Sequence, residues 1–124
     1  MPIMDLITEQ KKILVVEDDR HQLKALSEFL KRRGYAVLGA PNGRKALDEL
    51  KSCAFVSLIL LDLSMPVMDG EEFLKRQRND PAIAQIPVVV LTSSPRVLDG
   101  PKAVLQKPIE PDALIAAVSR YGES

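Results

Sequence analysis

The sequence predicts an α/β fold built on a single doubly wound sheet of five parallel strands. Three observations carry that reading. Short, unbroken β-prone runs recur, namely Ile13-Leu14-Val15-Val16, Leu58-Ile59-Leu60-Leu61 and Pro87-Val88-Val89-Val90-Leu91. Such continuous runs suit parallel strands covered on both faces. Amphipathic stretches lie between them, and the alternation repeats five times, which implies right-handed crossovers and an open parallel sheet. No repeat, low-complexity tract or Ser/Gly-rich linker interrupts it, so 124 residues make one domain.

Taken in order, Ile13–Val16 is the first strand. Leu23, Leu26 and Leu30, with Phe29 beside them, share one face of a helix from about Arg20 to Arg33, stopped by Gly34. Tyr35 to Gly39 is a weaker strand suited to a sheet edge. Asn42 can cap a helix whose Ala46, Leu47 and Leu50 face inward. After the Leu58–Leu61 strand, Gly70 precedes a third helix with Phe73 and Leu74 inward. Glu71 and Glu72 occupy its first turn, where the helix dipole favours anions. The Pro87–Leu91 strand follows, then Ala103 to Gln106 as a second edge candidate. Pro111 opens the last helix, with Leu114, Ile115 and Val118 as its buried stripe.

Composition removes several function classes. Seventeen basic and 17 acidic residues give a formal net charge of zero, which speaks against a nucleic-acid or anionic-membrane footprint. One cysteine, Cys53, excludes an internal disulfide, so a reduced, cytoplasmic compartment fits best. Asp5 and Glu9 stand where a signal peptide needs apolar residues, and the apolar runs are too short to span a bilayer.

The balanced total conceals a local excess. In open α/β sheets, functional groups gather beyond the carboxyl ends of the strands. Glu17, Asp18 and Asp19 follow the first strand, and Asp62 the third. Thr92 and Ser93 follow the fourth, and Lys107-Pro108 the fifth. Carboxylates held together repel, and a hard divalent cation relieves them; carboxylates without His or Cys suit Mg2+ better than Zn2+. With Lys107 as a point charge and Thr92 as a hydroxyl donor, such a rim can stabilise a phosphoryl group in transfer, with Asp62 as nucleophile.

These residues resemble the receiver domain of two-component response regulators, with a CheY-like, flavodoxin-like fold. The resemblance rests on ILVVEDD from Ile13 to Asp19, NGRKAL from Asn42 to Leu47 and LILLDLSMPVMDG from Leu58 to Gly70. VVVLTSS from Val88 to Ser94 and LQKP from Leu105 to Pro108 complete it. It implies strand order 2-1-3-4-5 and a receiver domain over 11–121, with 1–10 an N-terminal extension and 122–124 a tail. It implies that Asp62 accepts a phosphoryl group from a phosphohistidine on a sensor histidine kinase, from a phosphotransfer protein or from a small phosphodonor. Glu17, Asp18 and Asp62, with the backbone carbonyl of Ser64, would hold Mg2+, and Asp19 need not. Thr92 would turn toward the phosphoryl group and Lys107 would pair with it. Pro66 and Gly70 would shape the turn after Asp62, Pro108 would follow a cis peptide bond, and Ser64 and Ser94 would tune dephosphorylation. In this reading the chain is a stand-alone switch with an unknown downstream protein partner. It is not an enzyme beyond assisting its own phosphorylation and dephosphorylation.

Two features depart from the family pattern. Thr92 and Lys107 are only fifteen residues apart. Ser94 can cap and Pro95 start a helix, but Gly100-Pro101 ends it after about one and a half turns, so the fourth helix is expected stunted or replaced by a loop. Val104 occupies the position of the family's aromatic switch, and a β-branched side chain cannot change rotamer in the same way. The expectation is a sheet face left open for a partner or a second copy.

Other readings stand beside these. Glu17-Asp18-Asp19 also reads as a helix N-cap, Asp62 as a loop cap, Thr92 as a strand end, and Lys107 as a solvated lysine before a turn. Asp69-Gly70 reads as turn chemistry. Cys53 reads as a small hydrophobe, His21 as a helix-surface residue, and Lys31-Arg32-Arg33 as a solvated helix end. At the level of function, the alternative is a degenerate receiver that binds partners without phosphate. An aspartyl phosphatase would want a second acid where Ser64 stands, and an FMN binder would want a Ser/Thr-rich phosphate loop after the first strand.

Overall fold

The structure, a computed structural model, describes residues 11–52, 55–63, 69–95 and 97–122. The expected extension over 1–10, Cys53, Ser64, Pro66 and the last two residues of the tail lie outside the described residues. Five strands, β1 (Lys12–Val16), β2 (Ala36–Ala40), β3 (Val56–Asp62), β4 (Val88–Thr92) and β5 (Ala103–Gln106), form one sheet in the order β2-β1-β3-β4-β5. All four pairings are parallel. The three continuous apolar runs are its central strands and the two weaker candidates its edges. The helices are α1 (Arg20–Arg32), α2 (Gly43–Ser52), α3 (Gly70–Arg78) and α4 (Pro111–Gly122).

Strand alternation sends the apolar side chains to two cores. Leu14, Val16, Ile59, Leu61, Val88 and Val90 face α2 and α3. Ile13, Val15, Leu58, Leu60, Val89 and Leu91 face α1 and α4. Covering both faces explains why the central runs are continuous rather than alternating.

Local chemistry sets the helix ends. Asp19 caps α1, accepting from the backbone N–H groups of His21 (2.9 Å) and Gln22 (3.2 Å). Arg33 is the C-cap rather than the last helical residue, and Gly34 reverses the chain at φ 93°. Asn42 Oδ1 accepts from Lys45 N–H at 2.9 Å, as a cap of α2 should. In α4 the buried stripe is Leu114, Ala117 and Val118, with Ile115 only partly buried.

Asp69-Gly70 is not a turn. Asp69 caps α3, accepting from Glu72 N–H at 2.8 Å, and Gly70 is the first helical residue. A Cβ on Gly70 would lie 2.6 Å from Leu63 Cα and O, so only glycine lets the helix start so close to the end of β3.

The fourth crossover, residues 93–102, contains no helix among its described residues, in keeping with the expected stunted or loop-replaced fourth helix. Returning along the five residues of β4 takes about 16 Å. Ten residues wound as helix would reach about 15 Å and could not also arch over the sheet, whereas an extended chain reaches about 33 Å. Among the described residues the expected open face is partly covered. Leu98 and Val104, both partly buried, pack onto the core, Val88 is 3% exposed and Val90 fully buried. Val97 points outward there, at 99% exposure.

Candidate functional site

The rim at the carboxyl ends of the strands collects the expected residues. Glu17 directly follows β1, Asp62 and Thr92 are the last residues of β3 and β4, and Lys107 follows β5. The register places Val16 beside Leu61 and Asp62 beside Leu91, so Glu17 and Asp62 end adjacent strands. Glu17 is 2% exposed and Asp62 5%, while Asp18 is exposed. Carboxylate oxygens of Glu17, Asp18 and Asp62 all lie within 4.8 Å of one another. Asp19 turns away to cap α1, which separates its role from that of its two neighbours.

Lys107 is the counter-charge. Its Nζ donates to Glu17 Oε1 at 3.4 Å, Asp62 Oδ1 at 3.3 Å and Gln22 Oε1 at 3.3 Å. One ammonium does not balance three carboxylates. Burial, with the nearby Asp62 carboxylate adding to it, pushes the Glu17 carboxyl up to about 7, against the pull of the Asp19 N–H and Lys107. An all-oxygen set of this kind fits a hard divalent cation that prefers carboxylates. Among the described residues Glu17, Asp18 and Asp62 would hold it; the Ser64 carbonyl lies outside them.

Thr92 is 6% exposed, and its Oγ1 accepts from Ser94 N–H at 3.1 Å. The Lys107–Pro108 peptide is cis, as expected. Beside the rim, a cavity of about 610 Å³ runs between α1 and α4. Leu26, Phe29, Ile109 and Leu114 form its apolar wall, and Glu17 and Lys107 also line it. Sequence reasoning missed Gln22, whose only signal is its place in the first turn of α1, three residues after the cap. It also missed Gln77, buried near the C-terminal end of α3, whose amide donates to Ile83 O (2.7 Å) and Ile86 O (3.2 Å) and shapes the third crossover.

Fold and rim together define a doubly wound α/β domain with an acidic, lysine-bearing site at its strand ends. Residues 13–119 match the family described as response regulator receiver domain. The transcriptional regulatory protein CrdR of Helicobacter pylori is 35% identical over 119 residues, 90% of this chain and 55% of that protein. An uncharacterized 14.6 kDa protein of Leptolyngbya boryana is 35% identical over 119 residues, 90% of each chain. The chemotaxis protein CheY4 of Vibrio cholerae superposes with a TM-score of 0.82 at 29% identity, covering 90% of this chain and 98% of that one. This chain belongs to the response regulator receiver domain family of two-component signalling. It spans about half the length of several curated relatives that it matches. No helix among the described residues is long and apolar enough to cross a membrane.

Proposed function

We propose that this domain accepts a phosphoryl group on Asp62 in a Mg2+-dependent reaction, from a phosphohistidine of a sensor histidine kinase or phosphotransfer protein. The observation that carries this reading is the Lys107 ammonium held 3.3 Å from Asp62 beside a trio of carboxylates. A carboxylate oxygen of Asp62 attacks phosphorus and forms an acyl phosphate. The bond from phosphorus to the donor breaks, and the leaving imidazole keeps the electron pair and ends with a proton on that nitrogen. Glu17, Asp18 and Asp62 would hold a divalent cation, which would supply positive charge to offset that of the transferring group. Lys107 exchanges its contact with Asp62 for one with a phosphoryl oxygen. Thr92 supplies a hydroxyl donor once Oγ1 leaves the Ser94 amide.

The cavity between α1 and α4 supports the approach of a donor protein, since it leads an apolar wall up to Glu17 and Lys107. Output then passes through a protein contact, in keeping with a cytoplasmic signalling protein, and the chain catalyses nothing beyond its own phosphorylation and dephosphorylation. One specific feature favours a second reading, a phosphorylation-independent binding module: Val104 at the switch position beneath a crossover with no described helix. Intact mass after incubation with acetyl phosphate and Mg2+ decides between them. One added phosphoryl group, lost with EDTA, supports the phosphoacceptor. An unmodified chain with Mg2+ present favours the module.

A further inference from the structure

An ammonium carries three N–H donors, and those of Lys107 meet acceptors from three different elements. Two are the carboxylates of Glu17 and Asp62 at the ends of β1 and β3. The third is a neutral amide, Gln22 Oε1 on the first turn of α1, at 3.3 Å. Resting on the phosphoacceptor reading of Asp62, the geometry points to Gln22 as a positioning residue for phosphoryl transfer. Its amide oxygen holds the Lys107 ammonium where the incoming phosphoryl oxygens meet it, and Gln22 itself touches none of them.

The reasoning is one of charge. Glu17 and Asp62 attract Lys107 strongly only while their negative charge is uncompensated. A divalent cation among the carboxylates weakens both attractions at the moment the lysine is needed. A neutral acceptor keeps its hydrogen bond through that change. It also adds no fourth negative charge to a site meant to receive a phosphoryl group. Lysine is a point charge on a flexible stem, so without such an anchor its place is poorly defined. Gln22 is anchored in turn, because its backbone N–H donates to the Asp19 cap at 3.2 Å. The cap, the amide and the ammonium thus form a chain from α1 to the strand rim, linking positions 85 apart in sequence.

The test is a double-mutant cycle on the rate of Asp62 phosphorylation by acetyl phosphate with Mg2+, read by intact mass. Gln22→Met keeps the length of the side chain and removes the acceptor. It is expected to slow the wild-type rate about fivefold, the effect of one hydrogen bond, while Mg2+ affinity by calorimetry stays unchanged. In a Lys107→Met background the same change is expected to do nothing. Gln22→Glu, which returns an oxygen at the same reach but adds a fourth negative charge, should stay slower than the wild type. Equal slowing in both Lys107 backgrounds, or no slowing in the wild type, overturns the role of Gln22 and leaves Asp62 as phosphoacceptor intact. A wild-type chain that takes up no phosphoryl group overturns the phosphoacceptor reading and the role of Gln22 together.

Discussion

Lys107 reaches across a whole strand to Asp62. β4 lies between the strands that end near these two residues, yet Nζ sits 3.3 Å from Asp62 Oδ1. The contact closes the acidic rim, and removing it leaves Glu17 and Asp62 facing each other without a counter-charge. Lys107→Met is expected to lower unfolding stability above neutral pH by on the order of 1–2 kcal/mol, with Mg2+ restoring most of it. Urea denaturation with and without Mg2+ checks this, and a loss indifferent to the cation contradicts it.

Glu17 makes the stability of the metal-free chain depend on pH. Its carboxyl is raised from 4.5 to about 7 in the folded state, so folding favours the protonated form. That contribution is complete below 4.5, declines as pH rises toward 7, and is gone above it. In EDTA the wild type should lose on the order of 3 kcal/mol from this group between about pH 4.5 and 8. Glu17→Gln should flatten that part of the curve. Denaturant midpoints across this range in both chains provide the check, and an equally steep decline in the variant would assign the effect elsewhere.

Two glycines should respond to alanine for different reasons. At Gly70 a Cβ would be driven into the Leu63 backbone beside Asp62, with a cost of about 3 kcal/mol. At Gly34 nothing lies within 4 Å of a Cβ, and only the positive φ resists, with a cost of about 1 kcal/mol. Chemical denaturation ranks the pair; equal costs would mean that the approach of α3 to β3 is not tight.

The crossover without a described helix makes a contrast between neighbours. Leu98 packs onto the core and Val97 is 99% exposed. Leu98→Ala should cost about 1–2 kcal/mol and Val97→Ser less than about 0.5 kcal/mol. The same denaturation series measures both, and a larger cost at Val97 would show that the loop sits the other way round.

Much of this was legible in the sequence because it is carried by local signals. Continuous apolar runs marked the central strands, and residues just after them marked the rim to which the structure brings Glu17, Asp18, Asp62, Thr92 and Lys107. What escaped depends on contacts between distant segments. Asp69-Gly70 has the composition of a turn, and only the approach of Leu63 makes it a helix start. Ser94-Pro95 has the chemistry of a helix start, yet the short span from Thr92 to Lys107 already announced a stunted or missing helix there. The sheet face expected to be open is partly covered by Leu98, whose inward packing no periodicity in a ten-residue loop announces. Gln22 and Gln77 are ordinary polar helix residues in sequence, and each owes its role to a partner on another element.

The central claim is that Asp62 is the group phosphorylated, and acyl-phosphate chemistry offers a direct measurement. Borohydride reduces an aspartyl phosphate to homoserine, which peptide mass mapping then locates. After treatment with acetyl phosphate and Mg2+, homoserine is predicted at position 62 alone, and nowhere in Asp62→Asn. Homoserine at position 18 or 19, or an unreduced chain throughout, would contradict the account.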